Sequence, residues 1–127
     1  MPCTYNIDSQ HGVLNIVAAG SVVESDMLDL ARSVYQDPFF HPDFRVFYDC
    51  SGIMAWNVPD EVTKALAGQR RFSANSRTAV WAVGPLFYGL GRMYQAYVTN
   101  GQVQVFRTRA DAVAWLNEGL PAEQWLT

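Results

Sequence analysis

The chain has 127 residues, half of them hydrophobic, and a formal net charge of −3. This length suits one domain with a substantial core, and the apolar content argues against intrinsic disorder. The slightly acidic balance gives no electrostatic reason to expect nucleic acid as a partner, and no apolar run approaches the length of a membrane span. We therefore expect a single folded domain over residues 1–127.

The first third of the sequence predicts a β-hairpin followed by a helix. Residues 4–7 and 13–18 are rich in β-forming side chains, and a polar turn ending at Gly12 separates them. Residues 24–35 then carry apolar side chains at the i, i+3, i+4, i+7 spacing of an amphipathic helix. These apolar residues are Met27, Leu30, Ala31 and Val34.

The middle of the chain predicts two strands on either side of a second helix. Residues 45–49 form a short β-rich run, and Pro59 stands where proline is favoured in the first turn of a helix. Residues 78–83 are apolar on both faces, which is typical of a central strand between helix layers. One face of the second helix is marked by Val62, Ala65, Leu66, Gln69 and Phe72.

The last third predicts a helix, a strand and a further helix. Residues 86–98 form the first helix and residues 102–106 the strand, with an Asn-Gly turn signal between them. Thr108 begins a helix that runs to Leu116, and Gly119 is expected as its C-cap. The inner stripe of the helix over 86–98 consists of Leu90, Met93, Tyr94 and Tyr97.

The predicted element order is ββαβαβαβα, which places the chain in the α/β class. Strands that alternate with helices through short loops imply a mixed, mostly parallel sheet with right-handed crossovers, an N-terminal antiparallel hairpin and about four helices. In the tail, Trp125 and Leu126 are expected to dock on the domain, and the same pair would also suit a homodimer contact.

Three stretches of the sequence resemble the SpoIIAA-like family, whose members are related in fold to STAS domains of the anti-sigma-factor-antagonist type. They read "GSVVESDMLDLARSVYQDPFFHPDFRVFYDCSGI", "SRTAVWAVGPLFYGLGRMYQAYV" and "VQVFRTRADAVAWL". The resemblance extends from Tyr5 to Leu116 and rests on the element order, the Asp-Pro-x-Phe loop, the strand ending in Asp49 and the Gly-Leu-Gly-Arg-Met helix. It implies a STAS-like fold.

The resemblance also implies two kinds of function. STAS antagonists bind a partner kinase and are phosphorylated on a serine; here Asp49 and Ser51 match the first half of that motif, but Pro59 stands at the phosphoacceptor position. This implies a protein-interaction module in a regulatory switch without the usual phosphoacceptor serine. SpoIIAA-like proteins also resemble the CRAL-TRIO lipid-binding fold, which implies an apolar small molecule or lipid as ligand and peripheral contact with a membrane.

The segment from Asp49 to Gly52 is interpreted as a turn that follows a parallel strand, with Asp49 and Ser51 satisfying backbone donors. A nucleophile elbow would need the pattern Gly-x-Ser-x-Gly, and position 49 is Asp. His11 and His41 lie in predicted loops and would reach Ser51 only by tertiary accident. We therefore predict no catalytic residue, no metal site and no cofactor.

Aromatic and apolar side chains are expected to gather at the carboxyl ends of the parallel strands, where open α/β sheets bind ligands. The predicted ligand-binding residues are Met54, Trp56, Phe87, Tyr88 and Arg92. An apolar wall with a few polar groups suits a small-molecule pocket. Exposed aromatic rings would equally suit a membrane surface or a protein partner, and the same residues would also serve to cap an ordinary core.

The basic residues and the cysteines bear on surface charge and on the cellular compartment. Lys64, Arg70, Arg71 and Arg77 would form a local basic patch, but a solvated helix end is favoured. Cys3 and Cys50 make no metal spacing and no disulfide framework, and the N-terminus lacks a basic, apolar leader, which indicates a reduced cytoplasmic protein. The leading hypothesis is a non-enzymatic, cytoplasmic binding domain for an apolar or amphipathic small molecule.

Overall fold

A computed structural model describes residues 2–127 as a five-stranded sheet flanked by four α-helices. The strands are β1 (Cys3–Asp8), β2 (Val13–Val23), β3 (Arg45–Asn57), β4 (Arg77–Trp81) and β5 (Gln102–Phe106). The helices are α1 (Glu24–Gln36), α2 (Asp60–Gly68), α3 (Pro85–Tyr97) and α4 (Arg109–Asn117), followed by a 3₁₀ turn, Ala122–Gln124. The predicted order ββαβαβαβα is confirmed.

The strands lie in the order β1-β2-β3-β4-β5, with β1 antiparallel to β2 and every other neighbouring pair parallel. Because the parallel strands follow one another in chain order, right-handed crossovers place α1, α2 and α3 on the same face of the sheet. The opposite face is covered by α4, which buries Ala112 and Leu116 against Phe47 and Ala79. The two faces therefore differ: three helices cover one and a single helix covers the other.

The prediction that β3 ends at Asp49 is wrong, because the strand continues to Asn57 and pairs with an extended β2. Asp49 lies opposite Val17, and Gly52 lies opposite Ala19, so β3 contains one extra residue between these two pairs. The backbone adopts a β-bulge there, and bulges allow strands with unequal numbers of residues to stay paired. Asp49 and Ser51 thus lie inside a strand rather than in a turn after it.

A second bulge in β3 explains the position of Met54. Gly20 pairs with Ile53 and Ser21 pairs with Ala55, so Met54 is the extra residue between them. The Met54 side chain is 82% exposed. In β2, Gly20 has a φ of 70°, a backbone conformation that glycine adopts without strain. A local pattern of alternating side chains does not reveal such a bulge, which depends on the pairing partner.

The second helix is shorter than predicted, because α2 ends at Gly68 and Phe72 lies in the segment that leads to β4. Tertiary hydrogen bonds hold that segment: Ser73 N–H donates to the Pro42 carbonyl at 2.9 Å, and the Asn100 amide donates to the Phe72 carbonyl. The Phe72 ring is buried and contacts the Phe40 ring edge-on, with 5.5 Å between the ring centroids. These contacts replace the helical path.

The C-terminal tail docks on α4 as predicted for Leu126. The Asn117 amide accepts a hydrogen bond from Leu126 N–H at 2.8 Å and donates one to the Leu126 carbonyl at 3.0 Å. Arg45 donates to the Gln124 carbonyl at 2.8 Å. Trp125 remains 48% exposed, although its indole donates to the Leu120 carbonyl at 2.8 Å. A homodimer through Trp125 stays a prediction.

Two glycines in α3 provide a matched test of how closely this helix approaches the sheet. A Cβ at Gly91 would lie 2.9 Å from Val105 Cγ1 and 3.2 Å from Val105 Cγ2, whereas a Cβ at Gly89 meets nothing within 4 Å. Val105 is buried and β-branched, so a rotation about χ1 does not relieve the clash. The closest approach of α3 to the sheet is therefore at Gly91.

We expect Gly89→Ala to raise the free energy of unfolding by about 0.5–1 kcal/mol, because alanine favours the helix. Gly91→Ala is expected to lower it by about 1 kcal/mol or more, since overpacking against Val105 outweighs the helical preference. Urea unfolding of both variants measures the difference. Equal stabilisation by the two substitutions would contradict the close approach of α3 to β5.

Candidate functional site

A cavity of about 460 Å³ lies between the sheet and the three helices that share its face. This volume falls within the range of about 300–1,000 Å³ that is usual for small-molecule sites. The floor consists of inward-facing side chains from the three central strands: Leu14, Ile16, Val46, Tyr48, Cys50, Thr78 and Val80. The walls come from α1, α2 and α3, mainly through Met27, Leu30, Val34, Leu66, Phe87, Leu90, Met93 and Tyr94.

The cavity exists because the covering helices pack on the outer strands of the sheet. On this face, α1 contacts mainly β1 and β2, and α3 contacts mainly β5. None of the 13 residues of α3 is buried, although Leu90, Met93 and Tyr94 point at the cavity wall. A helix packed directly on a sheet would bury such a stripe. The centre of the sheet, formed by β3 and β4, therefore becomes the floor of an apolar space.

Arg70 is a buried cation in the wall of this cavity. Arg70 is 7% exposed, and its Nη2 donates to Thr78 Oγ1 at 2.6 Å. The guanidinium carbon lies 5.0 Å from the centroid of the Phe72 ring, in a cation–π contact. The sequence interpretation of Arg70 as part of a solvated helix end is wrong, because the chain leaves the helix at Gly68 and turns this side chain inward.

Three buried side-chain atoms within residues 2–127 have no hydrogen-bond partner in the protein: Trp56 Nε1, Thr63 Oγ1 and Arg70 Nη1. All three residues line the cavity. A buried polar group without a partner costs about 1–3 kcal/mol, and more when it is charged, so native proteins keep few of them. The cavity is therefore lined by three residues whose buried polar atoms the rest of the described chain leaves without a hydrogen bond.

Three ionisable groups of the cavity, those of Tyr48, Tyr94 and Cys50, favour their neutral forms. Burial raises the pKa of the Tyr48 hydroxyl well above its usual value, and this hydroxyl donates to Met27 Sδ at 3.5 Å. Burial also raises the pKa of Tyr94, and the positive charge of Arg70 opposes that shift. Burial, together with the charge of Asp49, raises the pKa of the Cys50 thiol. Near neutral pH the cavity therefore contains protonated tyrosine and cysteine side chains.

The structure brings two of the five predicted ligand-binding residues to the cavity. Trp56 and Phe87 line its wall. The other three lie outside it: Met54 points to solvent, Arg92 is exposed, and the Tyr88 ring contacts the Arg107 guanidinium at 4.0 Å. No local sequence pattern indicates Arg70, Thr63 and Tyr94 as a group. Thr63 lies in α2, Arg70 in the segment after it and Tyr94 in α3, and only the tertiary structure brings the three to one cavity.

Asp49 and Ser51 form a local hydrogen-bonded pair at the first bulge of β3. Asp49 Oδ1 accepts from Ser51 N–H at 3.0 Å and from Ser51 Oγ at 2.6 Å. The two histidines are engaged elsewhere: the His11 ring lies 2.7 Å from an Asp8 carboxylate oxygen, and the His41 ring accepts from Asp43 N–H at 3.1 Å. The Ser51 hydroxyl therefore donates a hydrogen bond to a carboxylate, and neither histidine ring is paired with it.

Three further findings concern the described residues. Within residues 2–127, no three His, Cys, Asp or Glu side chains come together in a way that would hold a metal ion. Pro59, which stands at the phosphoacceptor position of the STAS-like motif, precedes α2 as its N-cap residue. Over the same residues, no helix is long and apolar enough to cross a bilayer.

The raised pKa of Cys50 predicts an unreactive thiol. In a Cys3→Ala background, alkylation of Cys50 by iodoacetamide should be at least tenfold slower in the folded protein than in urea at pH 8.5, because the thiolate is the nucleophile. As the pH rises past the ordinary thiol value of about 8.5, the unfolded chain loses this proton first, so the free energy of unfolding should fall. A folded-state alkylation rate with its inflection near pH 8.5 would contradict the burial of Cys50.

A solved structure with the same architecture comes from Shewanella loihica PV-4. It is an uncharacterised protein of the DUF3478 family with a SpoIIAA-like fold, and it superposes with a TM-score of 0.60 over 90% of this chain and 93% of that chain, at 17% sequence identity. The chain therefore has a SpoIIAA-like fold, as the sequence resemblance predicted. No protein-family model and no curated protein sequence matches this chain.

Proposed function

We propose that this chain is a non-enzymatic binding domain that holds an apolar or amphipathic small molecule between α1, α2, α3 and the sheet. The observation that carries the proposal is the cavity of about 460 Å³, whose lining residues include the three that carry an unpartnered buried polar atom within residues 2–127. Each CH₂ group of a ligand transferred from water into this space contributes about 0.8 kcal/mol, from which the cost of immobilising the ligand is subtracted.

The composition of the cavity supports binding rather than catalysis. Its lining contains no Asp, Glu, His or Lys side chain. General acid–base catalysis needs a group that titrates near the working pH. Burial raises the pKa values of Tyr48, Tyr94 and Cys50, which line the cavity, and arginine stays protonated. These residues can orient a ligand and exclude water, but they offer no base for proton abstraction.

Two tryptophan substitutions in α3 test whether the cavity is the binding site. Leu90 lines the cavity, whereas Leu86 on the same helix is 69% exposed and lies outside it. The neutral fluorescent probe N-phenyl-1-naphthylamine should bind the unaltered protein. Leu90→Trp should weaken this binding at least tenfold because the indole fills the cavity, which corresponds to a loss of about 1.4 kcal/mol of binding free energy. Leu86→Trp adds the same ring outside the cavity and should leave the affinity within twofold.

Circular dichroism of both variants controls for folding. Absence of probe binding to the unaltered protein, or equal affinities of the two tryptophan variants, would overturn the proposal.

Exposed apolar side chains at the carboxyl edge of the sheet support a location at a membrane surface. Met54 projects from the bulge near the end of β3, and Val83 and Leu86 follow the end of β4; their exposed fractions are 82%, 49% and 69%. Apolar side chains on such a rim gain free energy when they enter the interfacial region of a bilayer. A ligand that partitions into membranes would then be collected where it is most concentrated.

We expect the double variant Met54→Glu/Leu86→Glu to reduce co-sedimentation with phosphatidylcholine vesicles at least fivefold, because two charges oppose insertion. Phe39→Glu is the matched control, since Phe39 is 70% exposed but precedes the amino end of β3. Vesicles without net charge remove the repulsion that the acidic chain would otherwise feel. Unchanged sedimentation of the double variant, or an equal loss with Phe39→Glu, would contradict this membrane-facing edge.

A further inference from the structure

We infer that the cavity is selective for a monocarboxylate, with the Arg70 guanidinium binding the carboxylate and the apolar body of the ligand lying over β3 and β4. This inference rests on the proposed function, since it names the chemical class that the same cavity would hold.

The bonding of Arg70 leaves one of its nitrogen atoms available. Nη2 is engaged by Thr78 Oγ1 at 2.6 Å, and Phe72 covers a face of the guanidinium at 5.0 Å. Nη1 is buried and has no hydrogen-bond partner within residues 2–127. A guanidinium fixed on one edge and one face keeps its orientation, so a bound acceptor would not need to order it. Charge-assisted hydrogen bonds from arginine to a carboxylate are among the strongest that proteins make.

The charge around Arg70 is unbalanced. No carboxylate oxygen of Asp or Glu in the described residues lies within 4.0 Å of its guanidinium. The cavity lining contains Arg32, Arg70 and Arg71 and no acidic side chain. Arg32 pairs with Asp29 at 3.2 Å in an exposed position, and Arg71 is exposed over the Tyr35 ring. Only Arg70 is buried, so its charge is the one that a bound anion would neutralise.

A single negative charge fits this arrangement better than two. The neutral hydroxyl of Tyr94, which is close enough for the charge of Arg70 to act on it, would be a further donor to an anion. One buried guanidinium balances a monoanion such as a carboxylate. A phosphate monoester carries a charge between −1.5 and −2 at neutral pH and would remain undercompensated in this low-polarity space.

The shape of the cavity defines the rest of the ligand. Thr78, which holds Arg70, marks one end of the floor, and Ala82 at the end of β4 marks the other. At about 3.3 Å per residue, these four steps span about 13 Å. Trp56, near the end of β3, and Phe87, in the first turn of α3, line the wall. The space therefore suits an apolar body of medium length attached to one carboxylate.

Decanoate and 1-decanol test this assignment, because they share a chain and differ in charge. Displacement of N-phenyl-1-naphthylamine at pH 7.5 should show decanoate binding at least tenfold more tightly than 1-decanol, a difference of about 1.4 kcal/mol. Arg70→Met should abolish that preference while retaining 1-decanol binding, since methionine keeps apolar volume in place of the charge. Arg92→Met, a change at an exposed arginine outside the cavity, should leave the preference within twofold.

Separate outcomes contradict the cavity and the carboxylate. If the probe does not bind, the proposed function fails. If the probe binds and neither decanoate nor 1-decanol displaces it, the inference about a carboxylate ligand fails while the cavity stands. If both compounds bind the unaltered protein equally, or Arg70→Met keeps the preference for decanoate, the inference about Arg70 fails while the cavity stands. Should Arg70→Met not fold, as judged by circular dichroism, the comparison of the two compounds on the unaltered protein still decides the question.

Discussion

The sequential order of the parallel strands is the constraint on which the rest of this structure depends. When each parallel strand is added beside the one before it, right-handed crossovers bring every connecting helix to the same face. Here α1, α2 and α3 share one face, and α1 and α3 pack on the outer strands. On this face the central strands β3 and β4 then lack a helix packed directly on them, and a cavity forms where a tighter arrangement would have a core.

The cavity concentrates polar groups that an ordinary core would exclude. The bulged course of β3 carries Trp56 to one wall, α2 presents Thr63, and the segment after α2 turns Arg70 inward beside Thr78. An unpaired buried cation is among the most costly features a fold can retain. Its presence beside a cavity without acidic side chains is the observation that supports the proposed recognition of an anion. The opposite face of the sheet is closed by α4.

Much of the fold follows from local patterns. The amphipathic spacing of α1, the apolar run of β4 and the glycine and proline punctuation predict the element order and the mixed sheet, and β5 was predicted with its observed bounds. The sequence predicts only part of the candidate site. Trp56 and Phe87 are predicted because ligands bind near the carboxyl ends of parallel strands, whereas Met54, predicted for the same reason, is turned outward by its bulge. Arg70 was assigned to a solvated helix end because charged residues near a helix terminus usually are solvated.

By itself the sequence determined the α/β class, the order of the elements and which helix faces are apolar, because these depend on periodicities of 3.6 and 2 residues along the chain. Tertiary structure decided the rest. The length of β3 depends on the distant residues 19–23 that pair with it, the end of α2 on hydrogen bonds to Pro42 and Asn100, and the environment of Arg70 on helices that meet only after folding. Strand pairing and burial are relations between segments far apart in the chain, and no local pattern contains them.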